Sequence, residues 1–272
     1  VEGAPKVRSF LSSVRVVAAK EFRDCWRNLW LIVGSALFAC LSLAVVFGTA
    51  AIGGDFSFRP LEAVMTSVVT LGVFLIAVLI SYDAFVGEQE HGTLILLLTY
   101  PLSRPALLTG KLLGQSAALG VCLLLGFSVL PLLTVLNVLP YDLTRLSLLT
   151  AVLIFSGWLL GLVFILISLT ISLLAKNKAR ALGVLLSIWL LSVLFYDLGL
   201  LIITIAFEHQ ITNGFLNICL AVNPASAFRL FNQQLLENST IPLQTAWLGV
   251  YLCLWSAVLF VLDRFILNKR TF

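Results

Sequence analysis

Six apolar runs separated by polar interruptions set the organisation of this chain. They occupy residues 29–50, 64–82, 112–135, 147–174, 181–206 and 245–262. Crossing a hydrocarbon layer of about 30 Å takes roughly 20 apolar residues in a helix, and each run approaches or exceeds that length. The fourth is longer than a perpendicular span requires, so it is expected to tilt or project. Short alternating strands of the barrel kind are absent, and the pattern predicts helices. Residues 7–29, ahead of the first run, place Val7, Phe10, Leu11, Val14, Val17, Phe22, Cys25 and Trp26 at helical spacing. Arg8, Arg15, Lys20, Arg23 and Arg27 fall mostly on the other side. That pattern predicts a basic amphipathic helix on a membrane surface, with Arg15, Lys20, Glu21 and Arg23 available to a partner.

The polar interruptions differ in kind. Residues 51–63 and 137–145 read as short connections. Residues 207–244 are longer and broken at Asn213-Gly214, Asn223-Pro224 and Ile241-Pro242, which predicts short helices lying on one membrane face. Asn223, Pro224 and Arg229 are the candidate docking residues there. Residues 83–111 are the most patterned. Asp83, Glu88, Glu90 and His91 follow the second run, with Gly87 and Gly92 allowing tight backbone geometry. Residues 93–100 form a short apolar helix candidate that begins at Thr93 and is stopped by Pro101. Ser103 is placed to cap the next helix, with Pro105 in its first turn, running past Arg104 into Lys111. Leu94, Leu97 and Leu98 make an apolar row that must bury against something.

Composition removes soluble readings. The chain is 60% hydrophobic and 11% charged, with mean hydropathy +1.08, whereas soluble domains carry about 25% charge. The net charge of +4 follows the membrane and does not indicate nucleic acid. With the N-terminus inside, fourteen of the 17 Lys and Arg lie on the inner side and only Arg59, Arg145 and Arg229 outside. This predicts a multi-pass protein with both termini cytoplasmic. A 1–28 arm then precedes a 29–272 six-span domain. The length of the first run argues against a cleavable signal peptide.

Chemistry-bearing residues are sparse. Soft Cu(I) takes Cys and Met, and the chain has five Cys and one Met. Cys40, Cys122 and Cys253 all fall near mid-span, with no C-x-x-C, and sequence leaves open whether they meet. A buried cysteine otherwise acts as a small hydrophobe. Asp197 lies inside the fifth run, where an ionised carboxylate costs about 2.5–3.5 kcal/mol on insertion scales. It therefore lines a pathway or makes a packing hydrogen bond. No G-x-x-x-x-G-K-[ST] is present, so nucleotide hydrolysis is not expected of this chain alone.

The stretch GEQEHGTLILLLTYPLSRPALLTGK at 87–111 resembles the hallmark of ABC-2-type transporter permeases, and Asn223-Pro224 before the last span is similar to a feature common in that family. The resemblance covers essentially the whole chain. It implies an all-α integral membrane fold of the type V exporter kind. Six transmembrane helices follow an N-terminal amphipathic connecting helix, and a cytoplasmic coupling helix lies between spans two and three. It further implies a homodimer in the bacterial inner membrane with two separate cytoplasmic ABC ATPase subunits, which hold ATP and Mg. Residues 82–111 look closest to a subgroup that serves copper-site maturation of nitrous oxide reductase, with a periplasmic partner on the outer face. A generic exporter of a drug, lipid or ion remains an alternative, as does a membrane scaffold that transmits force and moves no substrate. The Asp83–Arg104 region would then be the ATPase-coupling interface, with Glu88 and Glu90 as polar contacts and Leu94, Leu97 and Leu98 as anchors.

Overall fold

A computed structural model of the chain describes residues 4–53, 56–93, 103–206, 218–220, 222–237 and 243–269. Among them every regular element is a helix. The elements are α1 (Ala4–Arg27), α2 (Trp30–Gly53), α3 (Phe58–Ser81), α4 (Val86–Glu90), α5 (Arg104–Val135) and α6 (Leu143–Leu174). The fifth apolar run forms α7 (Lys178–Trp189), a π-turn (Leu190–Phe195) and α8 (Tyr196–Ala206), which continue one another. Two more follow, α9 (Pro224–Glu237) and α10 (Leu243–Lys269). Six stretches among the described residues are long and apolar enough to cross a membrane. They match the six predicted runs. The helices overrun the apolar windows at their polar ends, as at Arg104–Lys111, because backbone bonding continues past the last apolar residue.

The caps explain several boundaries. Ser103 accepts from the Ala106 amide at 3.4 Å, Asp142 from Arg145 at 3.2 Å and Asn177 from Arg180 at 2.8 Å. The Ser103 cap with Pro105 in the first turn is the start expected from sequence. Leu29, at φ 61°, turns the chain from α1 into α2, a left-handed conformation that non-glycine residues adopt uncommonly.

α3, α5 and α6 form the centre of the bundle, α2 packs on α5, and α10 on α6. Small residues set the close crossings, as expected where lipid supplies no hydrophobic drive. Phe38 of α2 is fully buried, and it fits between Gly72 and Gly126, where an added Cβ would stand 2.8 Å and 2.3 Å from it. Phe74 and Phe164 meet edge to face, 4.6 Å between centroids. α7 and α8 are peripheral. Ala181 and Leu185 are the buried side chains of α7, Val193 that of the π-turn, and α8 has none. One end of the bundle, the near end, gathers α4, the start of α5, the α6–α7 turn and the end of α10. α9 and the α2–α3 connection lie at the far end.

Candidate functional site

The site is built where α1 lies across the start of α5. α1 buries one stripe, Val14, Val17, Glu21 and Cys25, spaced three and four residues apart as a helix face requires. Gly110 and Gly114 of α5 give it room. A Cβ at Gly110 would stand 2.6 Å from Val17 Cβ, and one at Gly114 would stand 2.5 Å from the Ala18 carbonyl oxygen. This close approach sets the Glu21 carboxylate on Lys111. Lys111 Nζ donates to Glu21 Oε1 at 2.9 Å and to Glu88 Oε1 of α4 at 2.8 Å. Lys20 Nζ reaches the same two oxygens, each at 3.0 Å. Gln115 Nε2 donates to Glu21 Oε2 at 3.2 Å. Lys111 is 1% exposed, and its ammonium sits 5.2 Å from the Phe85 ring centre. Two carboxylates and two ammoniums thus join α1, α4 and α5 in a junction that is buried on its Lys111 side.

α4 is fastened on its other sides as well. The Phe85 and Val86 amides donate to Ser172 Oγ of α6 at 3.0 and 3.1 Å. The Lys178 amide at the start of α7 donates to Glu90 Oε1 at 2.8 Å, and Lys178 Nζ stands 3.7 Å from Asp83 Oδ2. Gly87 lets that side chain pass, since a Cβ there would be 3.0 Å from Lys178 Cε. Arg104 Nη1 donates to the Leu267 and Asn268 carbonyls at 2.9 and 2.8 Å, the last turn of α10, where orphan carbonyls favour a cation. A cleft of about 420 Å³ opens between these parts, with Asp24, Asp83, His91 and Thr93 on its wall beside the ion pairs.

Charge follows the geometry. Burial alone would raise the Glu21 carboxyl, but the Lys111 and Lys20 ammoniums outweigh it and hold the group below its ordinary 4.5. Burial alone would lower Lys20, but Glu21 and Glu88 outweigh it and hold the ammonium above its ordinary value. Burial, reinforced by the Glu21 carboxylate, pushes the Cys25 thiol up to about 12, so it carries no thiolate near neutral pH.

Glu88 and Glu90, expected as polar contacts for an ATPase, also bond within the chain: Glu88 accepts from both lysines, and the exposed Glu90 accepts from the Lys178 amide of α7. A carboxylate beside a buried ammonium, as Glu88 is, is drawn inward. The short helix described here is α4, at Val86–Glu90, ahead of the helix expected at 93–100. Leu94, Leu97, Leu98 and Pro101 lie outside the described residues. His91, Gly92 and Thr93 are exposed, as are Arg15, Lys20 and Arg23.

At the far end, Asn223 and Pro224, expected to dock a partner, are buried. Asn223 Nδ2 donates to the Ser192 carbonyl at 2.5 Å, in the π-turn, where the ordinary helical ladder is interrupted. Arg229 pairs with Asp197, and Ser226 donates to Asp197 Oδ1 at 3.0 Å. Asp197 is therefore tied to α9. Cys40 and Cys253 are exposed on α2 and α10, whereas Cys122 is buried in α5 and contacts the Leu31 carbonyl at 3.4 Å. No three His, Cys, Asp or Glu residues gather as metal ligands among the described residues.

Sequence reading missed two features. Lys111, expected in the helix that leads into the third span and counted among the inner-side bases, is almost fully buried. Asp263, one residue past the predicted sixth run, is 0% exposed inside α10. The only signal for Asp263 was an acidic residue a turn short of the basic end of the last span.

Six apolar helices, with an amphipathic helix and a short polar-faced helix joined beneath them, define a multi-pass membrane protein of the transporter class. The sequence pattern describing the ABC-2 family transporter proteins matches residues 15–271, and the chain belongs to that family. It is similar to the probable ABC transporter permease protein NosY of Pseudomonas aeruginosa, 36% identical over 272 residues, covering 94% of this chain and 98% of the relative. The probable NosY permease of Stutzerimonas stutzeri is likewise 36% identical over 274 residues, covering 96% and 99%.

Proposed function

We propose that the chain is the membrane permease of an ABC transporter of the NosY kind, working as a homodimer in the bacterial inner membrane with both termini cytoplasmic. The near end of the bundle is then the cytoplasmic coupling face. Two separate NosF-like ATPase subunits supply ATP hydrolysis with Mg, and a NosD-like protein docks at the periplasmic face. The assembly serves maturation of the copper site of nitrous oxide reductase. It does so by moving a copper or sulfur species or by passing force to the periplasmic partner. The permease holds no cofactor of its own and binds no nucleic acid.

The observation that carries this reading is the Lys111 junction. α1 and α4 are the two elements an ATPase would touch, and Lys111 bonds carboxylates from both while belonging to the third span. Motion of either surface element therefore reaches α5 through buried bonds. For that to be coupling, contacts must differ between the nucleotide states of the partner. Cys40 and Cys253 are exposed on α2 and α10, Cys122 is buried in α5, and no metal-ligand cluster forms among the described residues, which favours force transmission over passage of copper along these cysteines.

Gentle affinity purification from native membranes, followed by mass spectrometry, tests the proposal. An ABC ATPase together with a periplasmic copper-handling protein is expected. An ATPase alone returns the function to a generic exporter. Recovery of intact permease without any ATPase overturns the coupling reading.

A further inference from the structure

Asp263 takes no part in the coupling junction. It is 0% exposed in α10. Its Oδ1 lies 2.5 Å from Thr170 Oγ1 of α6, and its Oδ2 has no hydrogen-bond partner among the described residues. Thr170 Oγ1 also lies 3.0 Å from the Leu166 carbonyl oxygen. A hydroxyl owns one proton, and a carbonyl can only accept. Were the carboxyl ionised, Thr170 would face two acceptors with a single proton. With a neutral acid both contacts are satisfied: Asp263 donates to Thr170, and Thr170 donates to Leu166.

Among the described residues, no charge relieves an ionised Asp263. α10 packs against α5, α6 and α9. α6 carries Arg145 alone among charged residues, near its opposite end. On α5, Arg104 is engaged by the Leu267 and Asn268 carbonyls and Lys111 by Glu21 and Glu88. On α9, Arg229 is paired with Asp197, and Glu237 ends the helix. Within α10, Arg264 is exposed and Lys269 sits over the Phe265 ring, 4.4 Å from its centre. A buried carboxylate without a cation is disfavoured, and the group takes up a proton instead.

We propose that Asp263 is a proton-binding site, a neutral carboxylic acid that donates to Thr170 and joins α10 to α6. The joint lies among the ties of the near end. Thr170 precedes by two residues the Ser172 that holds α4, and Leu267, one turn beyond Asp263, is held by Arg104. With the proton bound the joint is closed. Loss of the proton leaves a carboxylate facing Thr170 with no cation, so the α10–α6 contact opens as pH rises.

Infrared difference spectroscopy of the purified full chain in lipid tests this without any ATPase, so it stands apart from the coupling proposal. Wild type at neutral pH is expected to show a carbonyl stretch of an un-ionised carboxyl, one group per chain, that is sensitive to deuterium exchange and absent from Asp263→Asn. In Thr170→Val the same band is expected to shift, because its acceptor is gone. Raising the pH should remove it from folded wild type. A neutral-pH spectrum in which Asp263→Asn removes no un-ionised carboxyl band overturns the proposal. If Asp263→Asn does not fold, an unshifted carboxyl region in folded Thr170→Val does the same.

Discussion

Replacing Lys111 by Met tests the buried junction most directly. Met keeps an unbranched stem against Phe85 and removes only the ammonium. Glu21 and Glu88 then lose donors at 2.9 and 2.8 Å, and among the described residues Glu88 Oε2 already lacks a partner. Removing one member of a buried ion pair typically costs about 3–5 kcal/mol, because the remaining charge is stranded. Lys20 stays within 3.0 Å of both oxygens and screens part of that loss, which places the effect at the low end, about 3 kcal/mol. At about 1.36 kcal/mol per decade, this is on the order of a hundredfold more frequent opening of the α1–α5 contact. Hydrogen exchange read by mass spectrometry on peptides from 10–27 and 104–116 measures it, with α9 as an unaffected reference. Lys20→Met is the control. Its side chain is 49% exposed, and such pairs contribute about 0–1 kcal/mol, or up to roughly fivefold. Adding Glu21→Gln and Glu88→Gln to Lys111→Met should restore most of the protection, since a neutral buried set lacks the stranded charges. The reasoning fails if Lys111→Met exchanges no faster than Lys20→Met in residues 10–27.

The junction also has a definite pH window. Glu21 is held below 4.5, so its contribution is present above that value and lost as pH falls through the lowered one. Lys20 is held above 10.5, so its contribution is complete below that value and lost as pH rises through the raised one. Exchange protection of α1 is expected to be flat between the two, and a transition near neutrality would contradict it. Gly114→Val should lift α1, because even a Cβ there comes within 2.5 Å of the Ala18 carbonyl oxygen. The overpacking cost is about 1–3 kcal/mol, seen as faster exchange in 10–27, and unchanged exchange would count against the close crossing. Arg104→Gln should fray the last turn of α10 by about 1 kcal/mol. Exchange in residues 260–269 reports it, and no change there would mean that the guanidinium does not cap those carbonyls.

The six spans were legible because each needs a long apolar run and little else. The Ser103-Arg-Pro105 start was legible because capping is local. The junction was not. Glu21 and Lys111 are 90 residues apart, and their meeting depends on Gly110 and Gly114 admitting α1, which no local pattern announces. Glu88 was legible as a polar contact for a partner but not as a member of this junction, since its bonded partners lie on two other helices. Asn223-Pro224 was noticed as a motif, but its role as a clasp on the Ser192 carbonyl required knowing that the fifth span carries a π-turn. Asp263 escaped notice because hydropathy ends the sixth run one residue before it, whereas the helix continues to Lys269.

The ties at α4 are unequal. A five-residue helix does not hold its own position, so α4 goes where its partners hold it. Toward α1 and α5 it is fixed by the bonds of a nearly inaccessible lysine, and toward α6 by two amides on buried Ser172. Toward α7 it is held by the Lys178 amide on the exposed Glu90 carboxylate at 2.8 Å and by the Lys178–Asp83 pair at 3.7 Å, with 32% and 40% of those two side chains exposed. Water competes readily for the last of these and poorly for the others. The ties of α4 to α1, α5 and α6 are therefore better shielded from water than its polar ties to α7, where the shielded contact is Val86 on buried Ala181. That span is also the least buried, and its π-turn interrupts the ordinary bonding ladder halfway along. Its far half is tied instead to α9, through Asn223 on Ser192 and Arg229 on Asp197. The fifth span is thus joined to the near end through α4 and to the far end through α9, with the π-turn between the two sets of ties.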